Sequence, residues 1–248
     1  MKSLIKKMFL IFGFRIERRN KNPEFNNLLE LPIHKNPFFW LQEYSINTIV
    51  DIGSNEGQFA ERILEVFPNA DLHCFEPLFE EYGKLKQKFS NRNNVRLYNF
   101  GLGNTDEEIP MHRNEYSPSS SLLDMLDLHK ENFHYAINIM DEKVRIRRID
   151  EVFTNGLKGP LLVKIDVQGY EMRVLDGGEK LINNADFVII EASFYPLYKD
   201  QPLFEDIYEH LIRRGFRYAG SVEQLIAPKD QKILQADAVF VRYKKTIN

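Results

Sequence analysis

The stretch Ile49-Val50-Asp51-Ile52-Gly53-Ser54-Asn55-Glu56-Gly57-Gln58-Phe59 decides the fold class of this chain. Its apolar beginning is typical of a buried strand, which leads through an acidic residue and a glycine-containing turn into an amphipathic helix. In α/β proteins, a strand, a tight turn and a helix in this order hold an adenosine-containing cofactor at the carboxyl end of a parallel sheet.

The turn differs from the version that binds a dinucleotide. The G-x-G-x-x-G pattern that cradles a pyrophosphate would need glycine at positions 55 and 58, where this chain has Asn55 and Gln58. Asp51 before the turn adds negative charge. These features favour an adenosine cofactor with no phosphate and a cationic centre, such as S-adenosylmethionine.

Composition sets the general class. With 248 residues the chain is long enough for one sizeable α/β domain, and 43% hydrophobic and 28% charged residues are typical of globular proteins. Its one cysteine, Cys74, lies in an apolar run and fits a reducing compartment, so we expect a cytoplasmic protein. The net charge of −3 argues against a nucleic-acid partner.

Residues 1–30 form a predicted extension ahead of a domain at residues 31–248. Residues 1–19 carry six basic side chains and one acidic side chain around an apolar run at residues 8–14, which is far shorter than the roughly 20 residues of a transmembrane helix. Two interpretations stay open: peripheral contact of a basic amphipathic helix with an anionic membrane, or, as we favour, packing on the domain or a partner subunit. The oligomeric state is open.

The domain alternates strands with helices, which predicts a mostly parallel sheet with right-handed crossovers. Further strands are expected at residues 70–75, 95–100, 161–165 and 187–190, helices at 59–67, 78–89 and 203–212, and a last antiparallel strand pair at 217–222 and 238–243.

An insertion of about residues 104–160 interrupts this alternation. In chain order, we predict that it lies between strands four and five of the core. Within it, residues 108–113 are expected to pair with residues 143–147. The insertion is either a lid or acceptor-recognition element, or simply an extra hairpin. Its basic edge would hold an acidic acceptor or, as we favour, be a solvated strand face that discourages edge pairing; the residues of this edge are Arg145, Arg147 and Arg148.

Three strand ends supply a coherent cofactor site. Glu76 ends the second strand 25 residues after Asp51, and a carboxylate there can accept hydrogen bonds from both ribose hydroxyls. Gly101 ends the third strand, where the adenine edge would lie, and small residues let the backbone approach a cofactor closely. The predicted cofactor-binding residues are Asp51, Gly53, Ser54, Asn55, Gly57, Glu76, Pro77, Gly101, Leu102 and Asp166.

Asp166 ends the fourth strand and is expected at the top of the sheet beside the reacting centre. Gly169 permits a tight turn into the next helix, and Glu171 falls in the first helical turn. The alternative for both acids is a structural one, in which they satisfy backbone N–H groups and the dipole at the helix start.

Three segments resemble the FkbM-type, S-adenosylmethionine-dependent O-methyltransferases: residues 50–57, residues 75–77, and residues 164–171 with 174–177. The resemblance covers roughly residues 47–243. It implies a Rossmann-like class I methyltransferase fold with a seven-stranded, mostly parallel sheet and a C-terminal antiparallel hairpin. It also implies a small-molecule or glycan acceptor, methylated on a hydroxyl of a sugar, a polyketide or another small natural product.

The implied mechanism is in-line methyl transfer, in which the protein positions two reactants and a general base assists. Asp166 is the first candidate for the base, and Glu191 and His34 are the others. We find no strong metal constellation; a Mg²⁺ held by Asp166 with Glu191 or Glu171 is a minor hypothesis.

Two other functional classes stay open. The chain could bind S-adenosylmethionine without catalysis, or act as a membrane-docked assembly protein. A nucleotide-dependent oxidoreductase on the same architecture is less well supported, because the glycines at positions 55 and 58 are missing.

Overall fold

A seven-stranded sheet organises the computed structural model, which describes residues 35–114, 120–133 and 139–243. Its strands are β1 Thr48–Ile52, β2 Asp71–Phe75, β3 Val95–Tyr98, β7 Leu161–Ile165, β8 Phe187–Ser193, β9 Phe216–Ile226 and β10 Ile233–Arg242. Their order in the sheet is β3-β2-β1-β7-β8-β10-β9. All neighbours pair in parallel except β10, which is antiparallel to both β8 and β9. The predicted mostly parallel sheet with a C-terminal antiparallel hairpin is therefore confirmed.

Helices cover both faces of this sheet. They are α1 Gln58–Val66, α2 Phe79–Lys88, α5 Glu171–Gly177, α6 Glu179–Asn184 and α7 Phe204–Arg213, with the short α3 Asp127–Asn132 and α4 Ile149–Val152 and a 3-10 helix at Phe39–Glu43. No helix among the described residues is long and apolar enough to cross a membrane. The predicted extension at 1–30, its membrane contact through residues 1–19, and His34 lie outside the described residues.

Two apolar clusters fill the layers on either side of the sheet. Because side chains alternate along a strand, neighbours on β1 serve different clusters: Val50 packs with the cluster under α5, α6 and α7, whereas Ile49 packs with the cluster under α1 and α2. Both side chains are fully buried. A central parallel strand that is buried on both faces reads as a continuous apolar run, which is why the opening stretch is recognisable in the sequence.

The strand order brings the functional elements together. Strand β1 lies between β2 and β7, so the direction in which the chain adds strands reverses between β1 and β7. In open α/β sheets, ligands bind beyond the carboxyl ends of the strands at such a switch point. The turn after β1 and the loops after β2 and β7 therefore meet at one edge of the sheet.

The insertion builds a second sheet of three strands in the order β4-β6-β5, with β4 Gly101–Gly103, β5 Glu107–Asn114 and β6 Ile139–Arg148. The predicted pairing is confirmed, since Glu108 lies opposite Arg145 in the antiparallel β5–β6 ladder. The predicted position between core strands four and five was wrong. The insertion follows β3 and precedes β7, the third and fourth strands of the large sheet, because residues 101–103 leave that sheet and pair with β6.

A close backbone contact joins the second sheet to helix α5. A Cβ atom added at Gly177 would lie 1.7 Å from the carbonyl oxygen of Gly103. No real Cβ atom tolerates such a distance to backbone, so glycine is required at position 177 for α5 and β4 to pack.

We expect Gly177→Ala to lower the free energy of unfolding by about 2 kcal/mol or more, because the backbone of α5 and β4 must separate. Gly83→Ala is the matched control: an added Cβ there meets nothing within 4 Å, and alanine in a helix is favoured over glycine by about 1 kcal/mol. Urea denaturation measures both variants. Equal effects of the two substitutions would show that the contact does not constrain the fold.

Candidate active site

A cavity of about 390 Å³ lies at the carboxyl edge of the large sheet. All predicted cofactor-binding residues except Gly57 line it, and so does Glu191. Gly57 instead is the N-cap residue of helix α1, with a φ of 86°, and a Cβ there would meet the side chains of Leu85 and Phe89 at 2.9 and 2.8 Å. Position 57 thus has a packing reason to be glycine. His34, the third candidate base, lies outside the described residues.

Gly53 is the point at which the turn after β1 touches the end of β7. Its φ is 82°, and an added Cβ would lie 1.8 Å from the carbonyl oxygen of Asp166. Its N–H donates to the carbonyl of Phe75 at 3.0 Å, and the N–H of Asp166 donates to the carbonyl of Ile52 at 2.9 Å. The turn is therefore held between both neighbouring strands.

Asp51 is a buried carboxyl group with unused hydrogen-bonding capacity. It is 1% exposed, and its Oδ2 has no hydrogen-bond partner among the described residues. Burial raises the pKa of Asp51 to about 7. An unpartnered buried oxygen is unfavourable in the protein alone, and its position in the cavity wall makes Asp51 a candidate to contact a ligand.

Glu76 links the turn after β1 to the start of α2. Its Oε2 accepts the N–H of Asn55 at 2.8 Å, and its Oε1 accepts the N–H of Leu78 at 2.9 Å. Burial raises the pKa of Glu76 to about 8, and these two backbone hydrogen bonds oppose the rise. Each carboxylate oxygen can accept a second hydrogen bond, so two adjacent hydroxyl groups of a ligand can be bound.

The second sheet closes the cavity beside Pro77 and Gly101. It contributes Met111 from β5 and Ile146 from β6 to the lining. A Cβ at Gly101 would lie 2.7 Å from Cδ1 of Ile146, so glycine lets this apolar wall approach closely. Sequence patterns could not reveal Met111 or Ile146, because their place depends on how the insertion folds back.

Lys164, a buried residue for which the sequence predicted no role, contacts the carboxylates of Asp166 and Asp237. Nζ of Lys164 is 3.3 Å from Oδ2 of Asp166 and 3.0 Å from Oδ1 of Asp237, and the residue is 3% exposed. Burial by itself lowers the pKa of Lys164, but Asp166, Asp237 and Glu191 together raise it above its ordinary value. Lys164 is therefore charged and offsets part of the negative charge around it.

Gln168 connects the ends of β7 and β8. Its Nε2 donates to Oδ1 of Asp166 at 2.9 Å and to Oε2 of Glu191 at 2.7 Å, and its Oε1 accepts the hydroxyl of Tyr198 at 2.8 Å. Oε2 of Glu191 also accepts Nε2 of Gln235 at 3.0 Å. Desolvation by the surrounding protein, and next the charge of Asp166, raise the pKa of Glu191 well above its usual range.

Comparison with known proteins agrees with this geometry. Residues 51–218 match the methyltransferase FkbM domain family. The chain belongs to this family. The 2-O-methyltransferase NoeI of Sinorhizobium fredii (strain NBRC 101917 / NGR234) is 28% identical over 161 residues, which cover 62% of this chain and 66% of that protein. Methyltransferase 1 of Beauveria bassiana (strain ARSEF 2860) is 27% identical over 142 residues, which cover 52% and 57%. Both matches span less than two thirds of the relative.

The strand order of the large sheet is the one expected of a class I methyltransferase fold, and membership of a methyltransferase family implies S-adenosylmethionine as the cofactor. Solved structures similar to the chain include magnesium protoporphyrin IX methyltransferase from Synechocystis PCC 6803 with bound SAM, at a TM-score of 0.44, 12% identity, and coverage of 98% of this chain and 97% of that chain. TehB from Haemophilus influenzae has a TM-score of 0.45 and 9% identity, with 88% and 65% covered.

Glu171 binds backbone N–H groups at the start of helix α5. Its Oε1 accepts the N–H groups of Val167 at 3.3 Å and Gly169 at 3.0 Å, and burial raises its pKa to about 7. It is absent from the cavity lining, which favours the helix-start interpretation. The described residues contain no group of three or more His, Cys, Asp or Glu side chains placed to hold a metal ion.

The basic edge of the insertion is paired outside the cavity. Arg145 and Arg147 lie 3.6 and 3.8 Å from the carboxylate of Asp106, and Arg148 donates to the carbonyl of Asn104 at 2.8 Å. None of the three arginines lines the cavity. These contacts favour a solvated strand face over a site for an acidic acceptor.

The buried Asp51 makes the stability of the domain depend on pH. Because its pKa is raised to about 7, its contribution to stability is present in full below its unfolded pKa of about 4 and is lost as the pH rises through 7. We expect Asp51→Asn to abolish this loss. In urea denaturation, the free energy of unfolding of the variant should rise relative to that of the wild type by roughly 2–3 kcal/mol between pH 5 and pH 8.

The matched control is Asp71→Asn, at an exposed position of β2, which should show no gain that grows with pH. If the free energies of unfolding of Asp51→Asn and the wild type differ by the same amount at every pH in this range, burial does not raise the pKa of Asp51.

Proposed function

We propose that the chain is an S-adenosylmethionine-dependent O-methyltransferase that acts on a hydroxyl group of a sugar, a glycan or another small natural product. One observation carries the proposal: the unpartnered Oδ2 of Asp51 and the carboxylate of Glu76 border the same cavity as the network of Gln168 and Glu191. A donor with a cationic centre and a hydroxylated acceptor would therefore meet in one site. The similarity to a protein named a 2-O-methyltransferase supports a hydroxyl acceptor.

The residues present fit the donor. Glu76 would accept the two ribose hydroxyls, Gly53 would let the backbone approach, and the carboxylates of Asp51 and Asp166 would attract the positive charge. When bound, S-adenosylmethionine supplies an activated methyl group on a sulfonium. The protein's own task is then to orient the acceptor oxygen in line with that group and to exclude water.

The acceptor side offers hydrogen-bonding groups from three elements. Gln168 follows β7, Glu191 lies on β8 and Gln235 lies on β10, and the amides of both glutamines donate to the same oxygen, Oε2 of Glu191. Within the described part of the chain, Oε1 of Glu191 makes no hydrogen bond. The oxygens of Asp166 are both engaged, by Lys164 and Gln168. We therefore place Glu191 as the proton acceptor and Asp166 beside the donor.

We further propose that the protein works in the cytoplasm. Contact of residues 1–19 with the membrane surface stays a prediction, which sedimentation with anionic liposomes, with and without those residues, would test.

We expect Glu76→Ala to weaken the binding of S-adenosylhomocysteine roughly 10- to 100-fold, because the hydrogen bonds to both ribose hydroxyls are lost. Isothermal titration calorimetry measures the dissociation constant. The matched control is Glu80→Ala, an exposed acid of α2 that does not line the cavity. An unchanged constant for Glu76→Ala would remove Glu76 from the ribose role, and no binding by the wild type would refute the methyltransferase proposal.

We expect transfer of radiolabelled methyl from S-adenosylmethionine to a hydroxyl in a panel of glycans, lipid-linked sugars and polyketides. Glu191→Gln should lower kcat ~10²–10⁴-fold, the range for a general base, with unchanged donor affinity. Because the pKa of Glu191 is raised, the wild-type rate should increase with pH, and this increase should vanish in the variant.

The matched control is Glu205→Gln, at an exposed position of α7, which should keep the wild-type rate and pH profile. Tight donor binding without transfer to any acceptor would instead support the non-catalytic alternative.

A further inference from the structure

Arg62 of helix α1 lines the cavity but has no part in the chemistry proposed above. Its guanidinium is bonded to Glu223 of β9. Strand β9 is the edge strand opposite β3, whereas Pro77 and Gly101 follow β2 and β3. Arg62 therefore belongs to the end of the cavity that is remote from the apolar wall of Pro77 and Gly101.

The guanidinium is held in a defined orientation and has donors to spare. Nη1 donates to Oε1 of Glu223 at 2.7 Å, and Nη2 donates to Oε2 at 2.5 Å. The ring of Phe38 lies 5.1 Å from the guanidinium carbon. An arginine has five N–H donors, of which this bidentate pair uses two. The side chain is 34% exposed and lines the cavity, and Glu223 leaves unused the edge of the guanidinium formed by Nε–H and the second N–H of Nη2.

The proposed donor must extend toward this end. If Glu76 holds the ribose and the base lies against Pro77 and Gly101, the amino-acid end of the donor leaves the ribose in the opposite direction. It then passes the turn after β1 and the first turns of α1. Phe59 and Arg62 lie three residues apart on one face of α1, and both line the cavity.

Charge decides which group can meet the carboxylate of that amino-acid end. Among the described lining residues, the lysine and arginine side chains are those of Lys164 and Arg62. Lys164 is almost fully buried and already contacts two carboxylates. Arg62 is accessible and has one carboxylate partner, Glu223. The ammonium of the amino-acid end has acceptors nearby, since Asp166 and Asp237 also line the cavity.

We propose that Arg62 binds the α-carboxylate of the methyl donor, while Glu223 and Phe38 fix the orientation of its guanidinium. Arginine suits this task because its planar fork forms two parallel hydrogen bonds to a carboxylate. The inference rests on the proposed function, because it takes S-adenosylmethionine as the donor. It assigns a specific role to a residue outside the turn and the strand ends.

A ligand that lacks the carboxylate tests the proposal directly. Calorimetry would compare S-adenosylhomocysteine with its decarboxylated analogue, S-adenosyl-3-thiopropylamine, on the wild type and on Arg62→Gln. The wild type should prefer S-adenosylhomocysteine by ~10- to 100-fold, as expected for charge-assisted hydrogen bonds. Arg62→Gln should lose most of this preference by weakening S-adenosylhomocysteine alone, with the affinity for the analogue unchanged.

The matched control is Arg96→Gln, which removes an exposed arginine paired with Asp71 outside the cavity and should keep the wild-type preference. If Arg62→Gln also keeps it, Arg62 is not the carboxylate ligand, although the donor still binds. If Arg62→Gln does not fold, the wild type and Arg62→Lys are compared instead. The proposal is overturned if the wild type binds S-adenosylhomocysteine no more tightly than the analogue. It is also overturned if Arg62→Lys weakens the binding of both ligands equally. A wild type that binds neither ligand refutes the proposed function itself.

Discussion

The contact between Gly53 and the carbonyl of Asp166 is the constraint on which the site depends. A side chain at position 53 would collide with backbone at 1.8 Å, so only glycine lets the ends of β1 and β7 approach this closely. The approach brings Asp51, before the turn, next to Asp166, at the reversal of strand order. A wider gap would separate Asp51 from Asp166 and from Gln168 and Glu191, which we propose act on the two reactants.

The site concentrates groups that destabilise the folded protein. Burial raises the pKa values of Asp51 and Glu76, and one oxygen of Asp51 has no partner within the described chain. Lys164 offsets part of this charge by contacting Asp166 and Asp237 at the same time. Stability is commonly lost at functional sites in this way. The proposed donor is cationic and bears hydroxyl groups, so on that proposal its binding would supply the missing partners and stabilise the folded protein.

Local patterns in the sequence predicted what is encoded within a few residues. The strand, turn and helix around Gly53, the acid at the end of β2 and the turn at Gly169 all proved to have the expected structure. Lys164 and Gln168 lie inside a segment that resembles the family, but their roles were not predicted. The role of each side chain depends on the residues that contact it in the folded protein. For Lys164, these residues include Asp237 on β10, 73 residues away along the chain.

The sequence by itself determined the α/β class, the family resemblance and the strand-end residues of the proposed donor site, because each depends on periodicity or on turn chemistry within one short segment. Only the tertiary structure brought together the residues of the proposed acceptor side. It paired Glu191 with Gln168 and Gln235, brought Arg62 to Glu223 of the edge strand, and folded the insertion against Gly101. These contacts join residues that are distant along the chain, and their distances follow from strand order and sheet packing, which no local pattern specifies.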